Sequence, residues 1–476
     1  MFSKNKKFYI TTTLPYVNAD PHIGFALEII QADVLARYYQ NLGYEVFFNT
    51  GVDEHGLKIF NKAKENNLSP KEYCDIYAKK FDNLKQILNV GYNSFTRTTD
   101  LHHIKSAQEF WKLCEKNGDI YKKNYKAKYC VGCELEKTDS ELVDGRCPIH
   151  PNLELEIIEE ENYFFKYSKY QKALLELYEK NPDFVIPTTR LNEIKEFTKR
   201  GLDDFSISRL KEKMPWGIEV PGDEKHVMYV WFDALINYIS SLGWPEDAGK
   251  FNNFWPGLQV AGKDNLRQQS SMWQAMLLSA GLSNSKQIFI HGFITANGQK
   301  MSKSLGNVIN PFELVEKYGT DAVRYYLLRE ITPTEDGDFT YEKFEQRYNS
   351  DLASGIGNLL ARTLGIANKI EIKKVEATAS TKQKIEEVEK AYKTALDNFK
   401  FNEALSAVWD LIGYCDKYIN AEKLWETKNP KTISDLFFVL NEISDLLSPF
   451  LPETSEKIRK GVELKKSEIL FMKIIK

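Results

Sequence analysis

Residues 7–56 read KFYITTTLPYVNADPHIGFALEIIQADVLARYYQNLGYEVFFNTGVDEHG. Phe8 to Thr13 is a β-branched run that suits a strand. Leu27, Ile30, Val34 and Tyr38 then recur at helical spacing, and Gly43 suits the position just past a helix end. Tyr44 to Asn49 is a second strand, and Gly51 to Gly56 is a turn. Strand, helix, strand in that order predicts a parallel sheet with a right-handed crossover. Ligands bind beyond the carboxyl ends of such strands, which marks Leu14–Tyr16 and Asp53–Gly56. Asp20-Pro21-His22-Ile23-Gly24 stands where the first strand hands over to the helix. Asp20 is expected to cap, Pro21 to occupy the first helical position and Gly24 to let a ligand approach. The free N–H groups at this helix start, with His22, suit a phosphate. An ordinary capped helix with an exposed histidine would satisfy the same string.

The remaining composition sets bounds. Apolar residues make up 42% and charged residues 28% of the 476 positions, enough for a packed core of about three domains. No apolar run is long enough to span a membrane. Met1 to Lys7 shows neither an apolar targeting core nor an Arg-rich amphipathic stretch, so a cytoplasmic protein without a leader is expected. Net charge is −3, from 64 basic and 67 acidic residues, so nucleic acid would have to be met by a local patch. Three of the six cysteines fall between 130 and 147 while Cys74, Cys114 and Cys415 are scattered, which predicts one metal site in a reduced compartment.

Residues 1–117 read as the first half of a nucleotide-binding α/β domain. Residues 118–225 read as an insertion of short elements carrying the cysteine cluster. Sheet-like segments resume at His226–Trp231, Leu258–Ala261 and Gln287–His291, within a second half at 226–349. From 350 to 476 the pattern is helical: Leu405, Val408, Ile412, Cys415 and Ile419 form one stripe, and Ile433, Leu436, Leu440, Ile443 and Leu447 another. Lys373 to Lys384 is expected to connect helices, and Ser448-Pro449 to stop the second stripe. The fold class is therefore α/β: a Rossmann-like doubly wound parallel sheet, an inserted zinc-binding subdomain and an all-α C-terminal domain.

Two further segments carry chemistry. Gly298-Gln299-Lys300-Met301-Ser302-Lys303-Ser304-Leu305-Gly306-Asn307 places two lysines in a short loop, where ammonium groups can meet the charge of departing pyrophosphate. A polar surface loop has the same composition. Cys130-x2-Cys133-x13-Cys147-x2-His150 supplies four N/S ligands at knuckle spacing, the set tetrahedral zinc requires. Four protein ligands close the coordination shell, so one structural zinc is expected, with four reduced residues in a small core as the alternative.

PHIG followed by KMSKS resembles the signature pair of class I aminoacyl-tRNA synthetases. TLPYVNADPHIG, TGVDEHG, YVWFDALINY, AGKD, GQKMSKSLGNV, GNLLARTL and KYINAEKLW resemble segments of the methionyl-tRNA synthetase family, in its order and over essentially the whole chain. That resemblance implies a cytoplasmic ATP-dependent methionine–tRNA ligase whose partners are methionine, ATP and tRNA(Met), with Mg²⁺ on the nucleotide and no membrane. It assigns catalysis to His22, Lys300 and Lys303, and ATP binding to His22, Gly24, Glu28, Gly262, Asp264 and Lys303. Methionine would lie among Leu14, Tyr16, Asp53, Trp231, Ala234, Leu235 and Tyr238, with Asp53 on the ammonium group and aromatic walls around the polarizable thioether. Without the resemblance, Asp53 reads as a turn residue and Leu235 as ordinary core. Asn358 and Arg362 share a helix face and, with Trp425, resemble the family's anticodon readers; an exposed Trp at a helix end is otherwise a packing residue.

The chain departs from the family at Phe25, where a second histidine is usual, and at Asn265 and Gln269, where isoleucine and histidine are common. Leu424 replaces a proline before Trp425. No catalytic role is carried onto Phe25, Asn265 or Gln269. The isoleucine, leucine and valine enzymes need a large editing insertion, for which the stretch between Asp53 and Trp231 leaves little room. A cysteine enzyme would disperse its zinc ligands in the substrate pocket. A tRNA-binding paralogue with weakened catalysis is the rival of another class, supported by Phe25, Asn265 and Gln269 and opposed by the intact lysines, Asp53 and Trp231. With no further module after the helical part, a monomer is expected.

Overall fold

A computed structural model of the chain describes residues 6–475 except 134, 138, 302–304, 369, 373 and 467. Six strands form its central sheet: β1 (Lys7–Thr12), β2 (Glu45–Val52), β3 (Ser94–Arg97), β4 (Val185–Ile186), β5 (Leu258–Gly262) and β6 (Gln287–His291). Their order is β3-β2-β1-β5-β6-β4, and every neighbouring pair is parallel. Tyr9 faces Phe47 across β1 and β2, while Thr11 faces Gln259 across β1 and β5. β1 and β5 are buried along most of their length, as a parallel sheet covered on both faces requires. The chain leaves β1 in one direction and builds β5 and β6 in the other. The carboxyl ends of β1 and β5 therefore border a crevice at the switch point of the sheet.

Helix α1 (Ile23–Asn41) follows β1 and is buried around most of its circumference, because the sheet lies on one side and the helical domain on the other. Its start corrects the sequence expectation. His22, not Asp20, is the cap: the Gly24 N–H donates to His22 Nδ1 at 3.1 Å. Pro21 precedes the helix, and Asp20 instead accepts from Lys80 at 2.6 Å on the surface. The Ile23 N–H is already taken by the Ile309 carbonyl at 3.0 Å, so the chain turns helical only beyond that bond.

The insertion is an antiparallel ribbon, Ile120–Cys130 against Glu156–Phe165, flanked by Leu135–Lys137 and Phe205–Ser206. The stretch 118–225 also contributes β4, whose two residues pair with β6; so short a strand leaves no alternation to read. The expected sheet segment His226–Trp231 ends early. Its strand stops at Met228 and runs antiparallel to Ser208–Leu210 in a separate small sheet, and Val230–Ala234 is helical.

The C-terminal part is α2 (Asn358–Ala367), α3 (Ala379–Asp397), α4 (Phe401–Ala421), α5 (Pro430–Leu447) and α6 (Pro452–Leu464). Both apolar stripes read from the sequence are buried, on α4 and α5. The expected connection 373–384 is helical from Ala379 onward, because Thr378 caps α3 by accepting from the Thr381 N–H and both threonines donate to buried Asp435 at 2.8–3.0 Å. One apolar cluster runs continuously from β1 and α1 into this domain, and a second fills the opposite face of the sheet at the root of the insertion. Among the described residues, no helix is long and apolar enough to cross a membrane.

Candidate active site

A narrow cleft with a cavity volume of about 30 Å³ opens at the switch point, lined by Thr13, Leu14, Tyr16, Asp53, Trp231, Ala234, Leu235, Asn237, Tyr238, Asn265 and Gln269. It brings together all seven residues that the sequence assigned to an amino-acid pocket. Leu14 and Tyr16 leave the end of β1, and Asp53 leaves β2. The two ends are laced to each other: the Asp53 N–H donates to the Pro15 carbonyl at 2.9 Å, and the Val17 N–H to the Asp53 carbonyl at 3.2 Å. Asp53 is 2% exposed and accepts from the His55 N–H at 3.3 Å and the Thr98 hydroxyl at 3.4 Å. Tyr16 and Trp231 meet edge to face at 6.3 Å. Asn265 and Gln269, which carried no assigned role, face the same space.

A buried Asp233 joins the two walls. One carboxylate oxygen bonds His55 at 2.6 Å and the other His103 at 2.9 Å. Burial pushes its carboxyl up, but the flanking imidazoles hold it below the ordinary range. Asp233 lies between the pocket residues Trp231 and Ala234, and His55 lies two residues beyond Asp53, so this bridge sets the spacing of the cleft. The string TGVDEHG contained His55, yet nothing local pointed to its partner Asp233, 178 residues away, or to His103 on the other oxygen of that carboxylate.

The opposite end of the cleft offers donors and carboxylates. Crowding disfavours the charged form of His22. As a neutral ring whose Nδ1 accepts from Gly24, it carries its proton on Nε2. A Cβ on residue 24 would sit 2.9 Å from His22 Cε1, so glycine is what allows the imidazole to fold back as a cap. Glu28 is buried; Oε1 accepts from the Thr13 N–H at 2.8 Å and hydroxyl at 2.5 Å, and Oε2 faces His291 Nε2 at 2.9 Å. His291 Nδ1 donates to the Gly292 carbonyl at 2.7 Å. Burial pulls His291 down, but Glu28, the Gly292 carbonyl and Asp264 outweigh it and raise its pKa. Burial, reinforced by Glu28, raises Asp264, whose Oδ1 would lie 2.9 Å from a Cβ on Gly262. His291 was missed in the sequence, although its place at the carboxyl end of β6 is the signal that could have found it.

Ile294–Ala296 and Gln299–Lys300 form a hairpin around Asn297-Gly298, both at positive φ, as a tight primed turn demands. The hairpin delivers exposed Lys300 and lays Met301 against the start of α1, its Cε 4.0 Å from where a Gly24 Cβ would be. Lys303 lies outside the described residues. Phe25 turns away from the cleft, its ring edge-on to Phe81 at 5.4 Å.

At the insertion tip, Cys130, Cys133, Cys147 and His150 present ligand atoms all within 4.8 Å of one another. Cys133 Sγ is 3.2 Å from His150 Nδ1 and 3.5 Å from Cys147 Sγ, and Cys130 Sγ is 3.8 Å from His150 Nδ1. Those separations suit ligands about 2.0–2.3 Å from a shared tetrahedral zinc. Burial raises the Cys147 thiol, but the N–H groups of His150 and Ile149 and the adjacent thiols hold it below the usual range. Burial and nearby lysines, Lys300 among them, keep His150 neutral, so the donor set fits zinc. A Cβ on Gly132 would fall 2.6 Å from the His150 ring. Next to this knuckle, Tyr129, Tyr229 and Val230 form a small buried cluster against which Val131, Tyr16 and Trp231 pack.

In the helical domain, Arg362 on α2 donates to Asn420 Oδ1 at 3.1 Å near the end of α4. Trp425 lies just beyond that end and is 47% exposed. Asn358 is exposed on the same helix as Arg362.

Residues 8–154 and 141–364 match the family model described as tRNA synthetases class I (M), and 381–474 match the anticodon-binding domain of tRNA ligases. The methionine–tRNA ligase of Thermotoga maritima is 42% identical over 474 residues, covering 96% of this chain and 75% of that protein. That of Thermosynechococcus vestitus is 43% identical over 472 residues, covering 95% and 89%. The solved structure of Mycobacterium tuberculosis methionyl-tRNA synthetase in complex with methionyl-adenylate superposes with a TM-score of 0.90 at 36% identity, covering 95% of this chain and 93% of the other.

Proposed function

The chain belongs to the class I tRNA synthetases of the methionine type, and from that premise we propose that its cleft activates methionine with ATP and passes it to tRNA(Met). A methionine carboxylate oxygen bonds the α-phosphorus of ATP as the bond to the bridging oxygen breaks, releasing pyrophosphate. A terminal ribose hydroxyl of the tRNA then bonds the activated carbonyl carbon, and AMP leaves. Neither step needs a protein nucleophile, so catalysis consists of positioning and of matching developing charge.

In this reading Asp53 receives the ammonium group. Tyr16, Trp231, Ala234, Leu235, Tyr238 and Leu14 enclose the thioether, where sulfur–aromatic contacts contribute about 0.3–1.5 kcal/mol. The His22 Nε2–H, Lys300 and Lys303 meet the phosphates, and Gly24 and Gly262 let the nucleotide approach the backbone. Glu28 and Asp264 face the ribose; Glu28 Oε2 keeps a second lone-pair direction beyond His291, whereas Oε1 already accepts twice from Thr13. Mg²⁺ would enter on the phosphates of ATP and offset their charge. Cys130, Cys133, Cys147 and His150 would hold one zinc, which with four protein ligands supplies structure and no open coordination position. Asn358, Arg362 and Trp425 would read the anticodon by polar edges and stacking.

The observation that carries this reading is the convergence of all seven assigned pocket residues on one cleft at the switch point. Amino-acid-dependent ATP–pyrophosphate exchange across the twenty amino acids tests it. Exchange with methionine alone is expected, and Lys303→Ala should depress the adenylation rate far more than methionine affinity. Tight tRNA binding without exchange for any amino acid would overturn it in favour of a binding paralogue.

A further inference from the structure

Two aspartates on one short segment hold both halves of the nucleotide side of the cleft. Residues 333–339 cross the end of β6. There the Gly292 N–H donates to the Pro333 carbonyl at 3.1 Å. A Cβ on Gly292 would fall 1.9 Å from the Glu335 carbonyl, so only glycine admits so close a crossing. Gly337–Phe339 then runs parallel to Ile294–Ala296, the first strand of the hairpin that delivers Lys300. Asp336 reaches the turn Gly262-Lys263-Asp264 that follows β5. Its Oδ2 accepts from Lys263 Nζ at 2.5 Å, and its Oδ1 accepts from the Phe293 N–H at 3.0 Å. The same ammonium lies 4.5 Å from the centre of the Phe293 ring, so it is held from two sides.

Asp338 reaches the hairpin instead. Its Oδ1 accepts from the Thr295 hydroxyl at 2.6 Å and from the Gly298 N–H at 2.7 Å. Beside it, the Asn297 N–H donates to the Phe339 carbonyl at 3.1 Å. Both residues of the hairpin turn are therefore tied down, two positions before Lys300. Neither aspartate is among the residues that line the cleft. We propose that Asp336 and Asp338 are positioning residues for adenylation, yoking the turn that seats the nucleotide to the hairpin whose lysines meet its phosphates. This rests on the reading of the cleft as a site for ATP and methionine. Charge-stabilising groups act only where they are placed, and a shift of about 1 Å can cost about 10²-fold in rate. One segment that bonds both parts fixes their separation.

The test is methionine-dependent ATP–pyrophosphate exchange by the full chain. Asp338→Ala removes the acceptor of two hairpin bonds and should lower kcat about 10- to 100-fold, with the methionine KM unchanged. Asp338→Asn keeps a carbonyl oxygen for the same donors and should regain most of that loss. Asp336 is half exposed, so Asp336→Ala leaves the fold intact; it should raise the ATP KM and lower kcat together. The double variant reads the yoke itself. Either cut breaks it, so the pair should lose no more than about twofold beyond the worse single variant. Losses that multiply, or a methionine KM that rises as far as kcat falls in Asp338→Ala, would overturn the yoke. Trypsin cleavage after Lys300 and Lys303 gives a readout without turnover. Saturating ATP should slow it in wild type and not in Asp336→Ala, and an equal effect of ATP on both proteins would overturn the yoke. Wild-type protein that activates a different amino acid, or none, would overturn the reading of the cleft itself, and that outcome is visible before any variant is made.

Discussion

His291 contributes through its charge, and its contribution has a sign. Its folded pKa lies above the ordinary value of 6.5, because Glu28 and the Gly292 carbonyl outweigh the effect of burial. The folded state therefore binds this proton more tightly than the unfolded chain. The stability it confers is complete below about pH 6.5 and is lost as pH rises through the raised folded value. A hydrogen bond to a charged partner contributes about 1.5–3 kcal/mol. His291→Gln should therefore be clearly less stable than wild type at pH 6 and closer to it at pH 9, read from unfolding midpoints across that range. A gap independent of pH would mean that the imidazole acts only as a shape. At this scale the sequence was informative where a residue followed a strand end beside a recognisable string, as with Asp53 just past β2. It was silent where the partner was distant: Glu28 and His291 are 263 positions apart.

At the scale of single elements, the knuckle spacing was legible because metal geometry constrains a short string. What the spacing could not reveal is that Tyr129 and Val131, beside the knuckle, share one apolar cluster with the pocket residues Tyr16 and Trp231. Cys133→Ser should lose zinc and raise the methionine KM by about tenfold, a modest misplacement of the aromatic wall. Zinc content measured beside KM decides the matter: loss of metal with KM unchanged would separate the two. The start of α1 and the start of α3 were misjudged for a shared reason. In each, a cap was chosen by tertiary contacts, the Ile309 carbonyl at Ile23 and Asp435 at Thr378, which local propensity does not contain. Trp425 belongs to this scale as well. Half exposed at the end of α4, Trp425→Ala should weaken tRNA(Met) binding by about 1–3 kcal/mol, the contribution of one stacked base, and leave amino-acid-dependent exchange untouched. Equal tRNA affinity in binding titrations would return Trp425 to a surface residue.

The whole molecule is held by a group that no motif announced. Arg324 is fully buried, and its guanidinium donates to the Phe450 carbonyl at 2.7 Å, the Pro449 carbonyl at 2.8 Å and the Leu88 carbonyl at 3.0 Å while pairing with Asp33 at 2.7 Å. Asp33 lies on α1, the helix whose first turn carries His22 and Gly24. Pro449 and Phe450 lie in the corner between α5 and α6. One side chain thus ties the cleft's own helix to the domain that bears Trp425. The layered architecture was readable because period-2 and period-3.6 apolar patterns survive in single segments; the docking of the layers was not, because it depends on one arginine meeting three separate stretches. Removing one partner of a buried pair costs about 3–5 kcal/mol, so Arg324→Met should lower the urea midpoint strongly. Asp33→Asn should cost less, since Arg324 keeps its three carbonyls. If the pin also fixes how the helical domain is held relative to the cleft, Arg324→Met should slow the charging of tRNA(Met) more than it slows methionine-dependent pyrophosphate exchange, assayed well below the melting temperature. Equal losses in the two assays would make Arg324 a stabilising residue with no part in aligning the two ends of the tRNA.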